Sequence, residues 1–370
     1  MTMMEFNVDK IIREEVRDLP VYSPGKSPEE VARELGIEDC VKMASNENPL
    51  GPSPKAMRAM AEALSSVNLY PDGDSYELRQ ALSRKLGVRP ECLLVSHGVD
   101  EALDLMAYAF LDKGDEMIVG DPTFTSYELA ARTMGAVVRR VPLKGYRQDI
   151  PGMLAEVSEK TVVVALCSPL NPTGTAVSRS ELEQMLGGLP DGVILVFDEA
   201  YIEYATDAEL PDALEYFGDY PGLIITRTLS KIYGLAGLRV GYAICSPEIR
   251  QALEKVKLPF NVNRLGQVAA LAALDDEEHV KRSRQENERG KERIYGLLDE
   301  LGLEYVPTQA NFILVNNGKY ADLFDKLLRQ GVIVRAGEPL GIPGHVRITV
   351  GDVRQNNRLE QALRAIAAEG

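Results

Sequence analysis

Seven short apolar runs punctuate residues 92–245: "CLLVSHG", "EMIVGDP", "AVVRRVPL", "TVVVALCSP", "GVILVFDEAY", "GLIITRTLS" and "RVGYAIC". Segments with helical spacing, such as "VDEALDLMAYAFL" and "SYELAARTMG", separate most of them. A strand that alternates apolar and polar residues keeps one wet face, whereas a continuously apolar strand is buried on both. Strands of this kind with helices between them predict a mainly parallel seven-stranded sheet sandwiched by helices, an α/β architecture. Ligands of such sheets bind beyond the carboxyl ends of the strands. The residues that follow each run are therefore where chemistry is to be sought.

Ahead of the sheet, an arm punctuated by Pro20, Pro24, Gly25 and Pro28 leads to amphipathic helices predicted over 54–66 and 74–87, parted by the turn "NLYPDGD". Near residue 262 the texture changes. One long helical stretch is predicted from Arg264 to about Leu301, its charge-dense "DDEEHVKRSRQENERGKER" forming a solvated face. Beyond it, "ANFILVNN", "VIVRAG" and "HVRITVG" read as strands around the helix "YADLFDKLLRQG", the elements of a smaller α+β domain. The expected division is an arm with part of the small domain over 1–45, a large domain over 46–262 and a small domain over 263–370.

A chain of 370 residues, 45% of them hydrophobic, can bury cores of this size. A formal charge of -15 excludes the broad basic face that nucleic acid or an anionic membrane requires, while leaving room for a small anionic ligand. Cys40, Cys92, Cys167 and Cys245 are scattered without metal-ligand or disulfide spacing, and His97, His279 and His345 fit no triad, so no metal is expected. The opening "MTMMEFNVDKIIREEVRDLP" has no signal-peptide core, and no stretch reaches the ~18 apolar residues of a membrane span. The expected setting is the cytoplasm and the expected partners are small molecules, with neither nucleic acid nor membrane.

Three runs end in residues of particular chemistry: "VVVALCSPLNPTG" reaches Asn171, "VILVFDEAY" ends in Asp198 with Tyr201 close behind, and "LIITRTLSK" ends in Ser230 and Lys231. Each has a plain reading alone, as a turn residue, a helix cap or a surface cation. In this order, on one sheet edge, they carry a specific pattern. "NPTG", "DEAY" and "SKIYGLAGLR", together with "ASNENPLGPSP", "YPDGDSYELR", "RTLSK", "AGLRVGY" and "VRITVG", resemble in register the fold-type I pyridoxal-phosphate enzymes. Among these the class I/II aminotransferases, and within them the histidinol-phosphate aminotransferase family, are most similar, from about Tyr22 to Gly351.

The resemblance implies pyridoxal 5′-phosphate as cofactor and a division of roles. Lys231 would bind the cofactor aldehyde covalently and carry the substrate proton; this needs a neutral amine, which nearby cations favour. Asp198 would keep the pyridine nitrogen protonated, and Asn171 and Tyr201 would hydrogen-bond the phenolic oxygen. Backbone donors of Gly98, Val99 and Asp100 at a strand-to-helix turn, with Ser230 and Arg239, would hold the phosphate. This turn departs from the family's usual Gly-Asn-Gly followed by Ser or Ala: Ser96, His97 and Val99 stand there, which keeps the backbone donors and removes a hydroxyl at 99. Phe124 would stack on the ring. Tyr70 would reach the phosphate of the neighbouring subunit, making the active unit a homodimer.

At the substrate end, the resemblance assigns Arg347 to the α-carboxylate and Tyr22 and Arg335 to a distal phosphate, with Asn48 and Asn263 nearby. The implied reaction is a ping-pong transamination between glutamate and imidazole-acetol phosphate in histidine biosynthesis. Aromatic amino-acid aminotransferases and a threonine-phosphate decarboxylase of the same fold share these residues and remain open. A nucleotide-dependent dehydrogenase would need G-x-G-x-x-G at a βα turn, which is absent.

Overall fold

The computed structural model describes residues 7–21, 25–320 and 322–369. After the short strand β1 (Val41–Lys42), seven strands form one sheet: β2 (Leu93–Ser96), β3 (Glu116–Asp121), β4 (Val137–Pro142), β5 (Thr161–Cys167), β6 (Ile194–Asp198), β7 (Leu223–Thr228) and β8 (Gly241–Ile244). Their spatial order is β2-β8-β7-β6-β5-β3-β4. Only β8 runs antiparallel to its neighbours. The strands are apolar on both faces because each face meets a separate core. In β5, Val164 and Leu166 enter one core while Val163, Ala165 and Cys167 enter the other. At the edge, β4 exposes Arg139 and Arg140, charges that discourage further strand pairing.

The single helix predicted from Arg264 to Leu301 is two, Arg264–Leu274 and Glu277–Leu301. The first buries Ala269, Ala270 and Ala273 in the large core. The second sends Ile294, Leu297 and Leu298 into a different one. One straight axis cannot serve both, and Asp276 starts the second helix by accepting from the His279 amide at 3.4 Å.

The smaller body contains β9 (Tyr305–Val306), β10 (Phe312–Asn316), β11 (Val332–Ile333), β12 (Arg335–Ala336) and β13 (His345–Thr349). Four of these form a sheet in the order β12-β13-β10-β9, while β11 pairs in parallel with β1. The predicted strand "VIVRAG" is thus divided between two sheets at Val334. Val31 and Ala44 pack with Leu328 and Ile333, joining the N-terminal segment to this body. Among the described residues no helix is long and apolar enough to cross a membrane, and no cluster of metal-binding side chains occurs.

Candidate active site

Sheet register brings the strand ends level. Cys167 of β5 pairs with Asp198 of β6, which pairs with Thr226 of β7. Asn171 and Lys231 follow in the next turns, so all three sequence-predicted groups reach one edge. There they meet a cavity of about 580 Å³ that Val99, Asp100, Phe124, Tyr201, Ser230 and Arg239 also line. Arg335 and Arg347 of the smaller body line it as well.

One end of the cavity is built for an anion. Gly98, Val99 and Asp100 open the helix Gly98–Phe110, whose first amide N–H groups have no intrahelical acceptor. Gly98 has φ +75°, and a Cβ there would lie 2.5 Å from Arg239 Nη2, so only glycine lets the guanidinium approach. Arg239 donates to Asp100 Oδ2 at 3.0 Å and to Ser230 Oγ at 3.4 Å. His97 is exposed beside this turn, its backbone N–H donates to Glu101, and it is not among the residues that line the cavity.

Lys231 Nζ donates to the Ser45 carbonyl at 3.4 Å and stands 5.5 Å from the Tyr201 ring centroid. Burial, then the charges of Arg347 and Arg239, lower its amine to about 8. Asp198 is fully buried, and burial raises its carboxyl to about 6 against the opposing effect of its hydrogen bonds. Its Oδ2 accepts from Tyr127 Oη at 2.5 Å and its Oδ1 from the Ala200 amide at 3.1 Å. Tyr201 is buried, its hydroxyl accepting from Asn46 Nδ2 at 3.0 Å, and burial pushes its phenol up to about 12. Asn171 Oδ1 accepts from Arg347 Nη1 at 2.6 Å, and Arg347 Nη2 donates to the Ala44 carbonyl at 2.7 Å. The guanidinium is thus anchored to both bodies beside the cavity.

Phe124 precedes the helix Thr125–Thr133 and lies edge-on to Tyr127, with ring centroids 5.8 Å apart. Tyr22 lies outside the described residues. Three predicted residues are elsewhere. Asn48, expected at the substrate side, does not line the cavity: its amide donates to the Ile232 carbonyl and to Ser283 Oγ, and its oxygen accepts from Leu50 N. Those bonds tie the loop down, and Asn46 takes the place at the site. Asn263 is a helix cap, accepting from the Gly266 amide at 2.7 Å. Tyr70 does not line this cavity; it is 78% exposed and stacks on Phe260.

Two contributors escaped the sequence reading. Asn46 has φ 55°, a conformation that asparagine tolerates better than most residues, and it also binds Thr349 Oγ1. Its signal was an Asn in a Pro- and Gly-rich loop. Tyr127 gave none beyond its place one helical turn after Phe124.

The residues present fit a phosphorylated heterocyclic aldehyde. The helix N-terminus, Ser230 and Arg239 suit the phosphate, Lys231 offers a partly neutral amine, and Asp198 supplies a fixed carboxylate across the cavity. Comparison with known proteins agrees. The family described as aminotransferase class I and II matches residues 38–366. The chain is 48% identical over 358 residues to a histidinol-phosphate aminotransferase of Moorella thermoacetica, covering 96% of this chain and 93% of that one. It is 46% identical to one of Brevibacillus brevis, covering 96% and 98%. Among solved structures, histidinol-phosphate aminotransferase from Sinorhizobium meliloti in complex with pyridoxal-5′-phosphate superposes with a TM-score of 0.89 at 29% identity, covering 97% and 98%. A double mutant of Thermus thermophilus aspartate aminotransferase gives 0.84 at 25% identity, covering 96% and 99%.

Proposed function

The chain belongs to the class I and II aminotransferases, and from that premise we propose that it exchanges the amino group of histidinol phosphate with a 2-oxo acid, glutamate being the natural counterpart. Pyridoxal 5′-phosphate, when bound, supplies the carbonyl carbon at which amino groups are exchanged and a ring that draws electron density from the substrate Cα. The amides at Gly98, Val99 and Asp100, with Ser230 and Arg239, hold its phosphate. Asp198 holds a proton at the ring nitrogen, and Asn171 and Tyr201 hydrogen-bond the phenolic oxygen. Lys231 Nζ would take the proton from the substrate Cα and deliver it to the cofactor's former carbonyl carbon. Phe124, which lines the cavity, would cover the ring face and keep water from it.

The observation that carries the substrate reading is the pairing of two cations. Arg335 and Arg347 are register partners on adjacent antiparallel strands, and both line the cavity. Cross-strand partners lie ~5 Å apart, near enough for one ligand to span. Glutamate carries a carboxylate directly on Cα, within the compass of Arg347 alone. The phosphate of histidinol phosphate is set further out by a CH₂–O link, and Arg335 extends the cradle to meet it. An unphosphorylated aromatic amino acid presents its carboxylate to Arg347 and carries no phosphate for Arg335 to meet. With 2-oxoglutarate as acceptor, kcat/KM for histidinol phosphate is expected to exceed that for phenylalanine or tyrosine by ~10²-fold, the worth of two or so charge-assisted contacts. A preference for the unphosphorylated aromatics overturns the reading.

The same reading extends to architecture. Helix Arg264–Leu274 packs in the large core, so residues 46–274 are taken as the cofactor-binding body and residues 25–45 with 275–369 as the smaller one. Leu69, Tyr70 and Leu258 are 58%, 78% and 71% exposed, and the Tyr70 ring stacks on Phe260. An apolar set of this kind supports a second copy of the chain as partner, with Tyr70 delivered to the neighbour's site. The cytoplasm is the compartment that suits a biosynthetic enzyme with these free cysteines.

A further inference from the structure

We propose that Tyr127 is a positioning residue for the cofactor: its hydroxyl holds the Asp198 carboxylate ionised and oriented toward the ring nitrogen. The inference rests on the assignment of Asp198 to that nitrogen and goes beyond it, because Tyr127 does not itself line the cavity.

Tyr127 is completely buried, and its hydroxyl donates to Asp198 Oδ2 at 2.5 Å. The Ala200 amide engages the other oxygen at 3.1 Å. With a donor on each oxygen, the carboxylate is held in place at the edge of the cavity that Asp198 lines. Burial drives the Tyr127 phenol far above its ordinary range, so it stays a donor at every working pH. Asp198 needs such a donor. It sits at the end of a strand whose neighbours are apolar, and desolvation alone pushes it toward the neutral acid, which cannot hold a proton on a ring nitrogen. The groups facing it are Tyr127 from the helix Thr125–Thr133, the thiol of Cys167 on β5, Thr226 on β7, the Ala200 amide, Tyr201, and the charge of Asp100 from the helix Gly98–Phe110. Asp100 and burial favour the acid form, while Tyr127 heads the groups that favour the carboxylate. Phe124 precedes the same helix and meets Tyr127 edge-on, so one short segment places both the ring cover and the carboxylate's donor.

The test is equilibrium dialysis of pyridoxal 5′-phosphate from the full-chain holoenzyme at pH 6, 7.5 and 9, for the parent and the Tyr127→Phe protein. Loss of the donor raises Asp198; an increase of one pH unit predicts cofactor Kd weakened about five-fold at pH 6, with the two proteins converging to within about two-fold at pH 9, where both carboxylates are ionised. Tyr127→Phe added to Asp198→Asn is expected to change Kd by less than about two-fold, since no carboxylate remains to hold. A loss equal at all three pH values, or one that persists beside Asp198→Asn, makes Tyr127 a packing residue and overturns the proposal. If Asp198→Asn alone leaves Kd unchanged, the assignment of Asp198 itself fails. Should Tyr127→Phe not fold, the ¹³C titration of the Asp198 carboxyl in the parent decides: a midpoint above the pH of maximal turnover rules the proposal out.

Discussion

Burial and the guanidinium groups of Arg347 and Arg239 bring the Lys231 amine down to about 8, and this sets when it can react. Below that pH the amine is increasingly protonated and has no lone pair to offer an aldehyde. Cofactor attachment to the stripped protein is expected to quicken ~10-fold per pH unit up to pH 8 and to level off above it. Stopped-flow absorbance checks this, and a rate that falls with rising pH contradicts the sign. Lys231→Arg, which cannot deprotonate, should lose at least ~10²-fold in turnover. Lys231, Asp198 and Asn171 were legible because a strand end has a position that the local run of residues defines. Asn46 and Tyr127 were not, because each acts by meeting a residue far away in the chain, Tyr201 and Asp198 respectively.

Beneath the floor of the site, β6 and β7 are joined by a buried ion pair. Glu199, the residue after Asp198, accepts from Arg227 Nε at 2.7 Å, and the two side chains are 0% and 8% exposed. Arg227 also donates to Asp212. Arg227→Met should destabilise the protein by ~3–5 kcal/mol, since it strands a carboxylate that burial already pushes toward its neutral form. Adding Glu199→Leu should recover a good part of the loss. Chemical denaturation measures both, and a change below ~1 kcal/mol for the single variant would show that the pair contributes little. Strand existence was legible from apolar runs, yet strand fate was not. "VIVRAG" reads as one strand, and only packing divides it between two sheets. The charged helix likewise hid its break at Asp275 and Asp276, because helical spacing continues across it while the core it faces does not.

At the scale of the whole molecule, the exposed set of Leu69, Tyr70, Leu258 and Phe260 predicts a dimer whose site is shared. Light scattering should give twice the chain mass, and Leu258→Asp should yield a monomer with weakened cofactor binding. A fully active monomer overturns that arrangement. The sequence by itself determined the parallel sheet, the edge at which chemistry gathers and the group delivered by each strand, since these follow from local periodicity and the residues next to it. Tertiary structure alone decided that Asn48 bonds the Ile232 carbonyl while Asn46 lines the cavity and meets Tyr201, that Arg347 reaches Asn171, and that Tyr127 meets Asp198. Those choices depend on which polar groups are brought together out of water, where each must find a partner, and partners remote in sequence are set only when the two bodies close around the cavity.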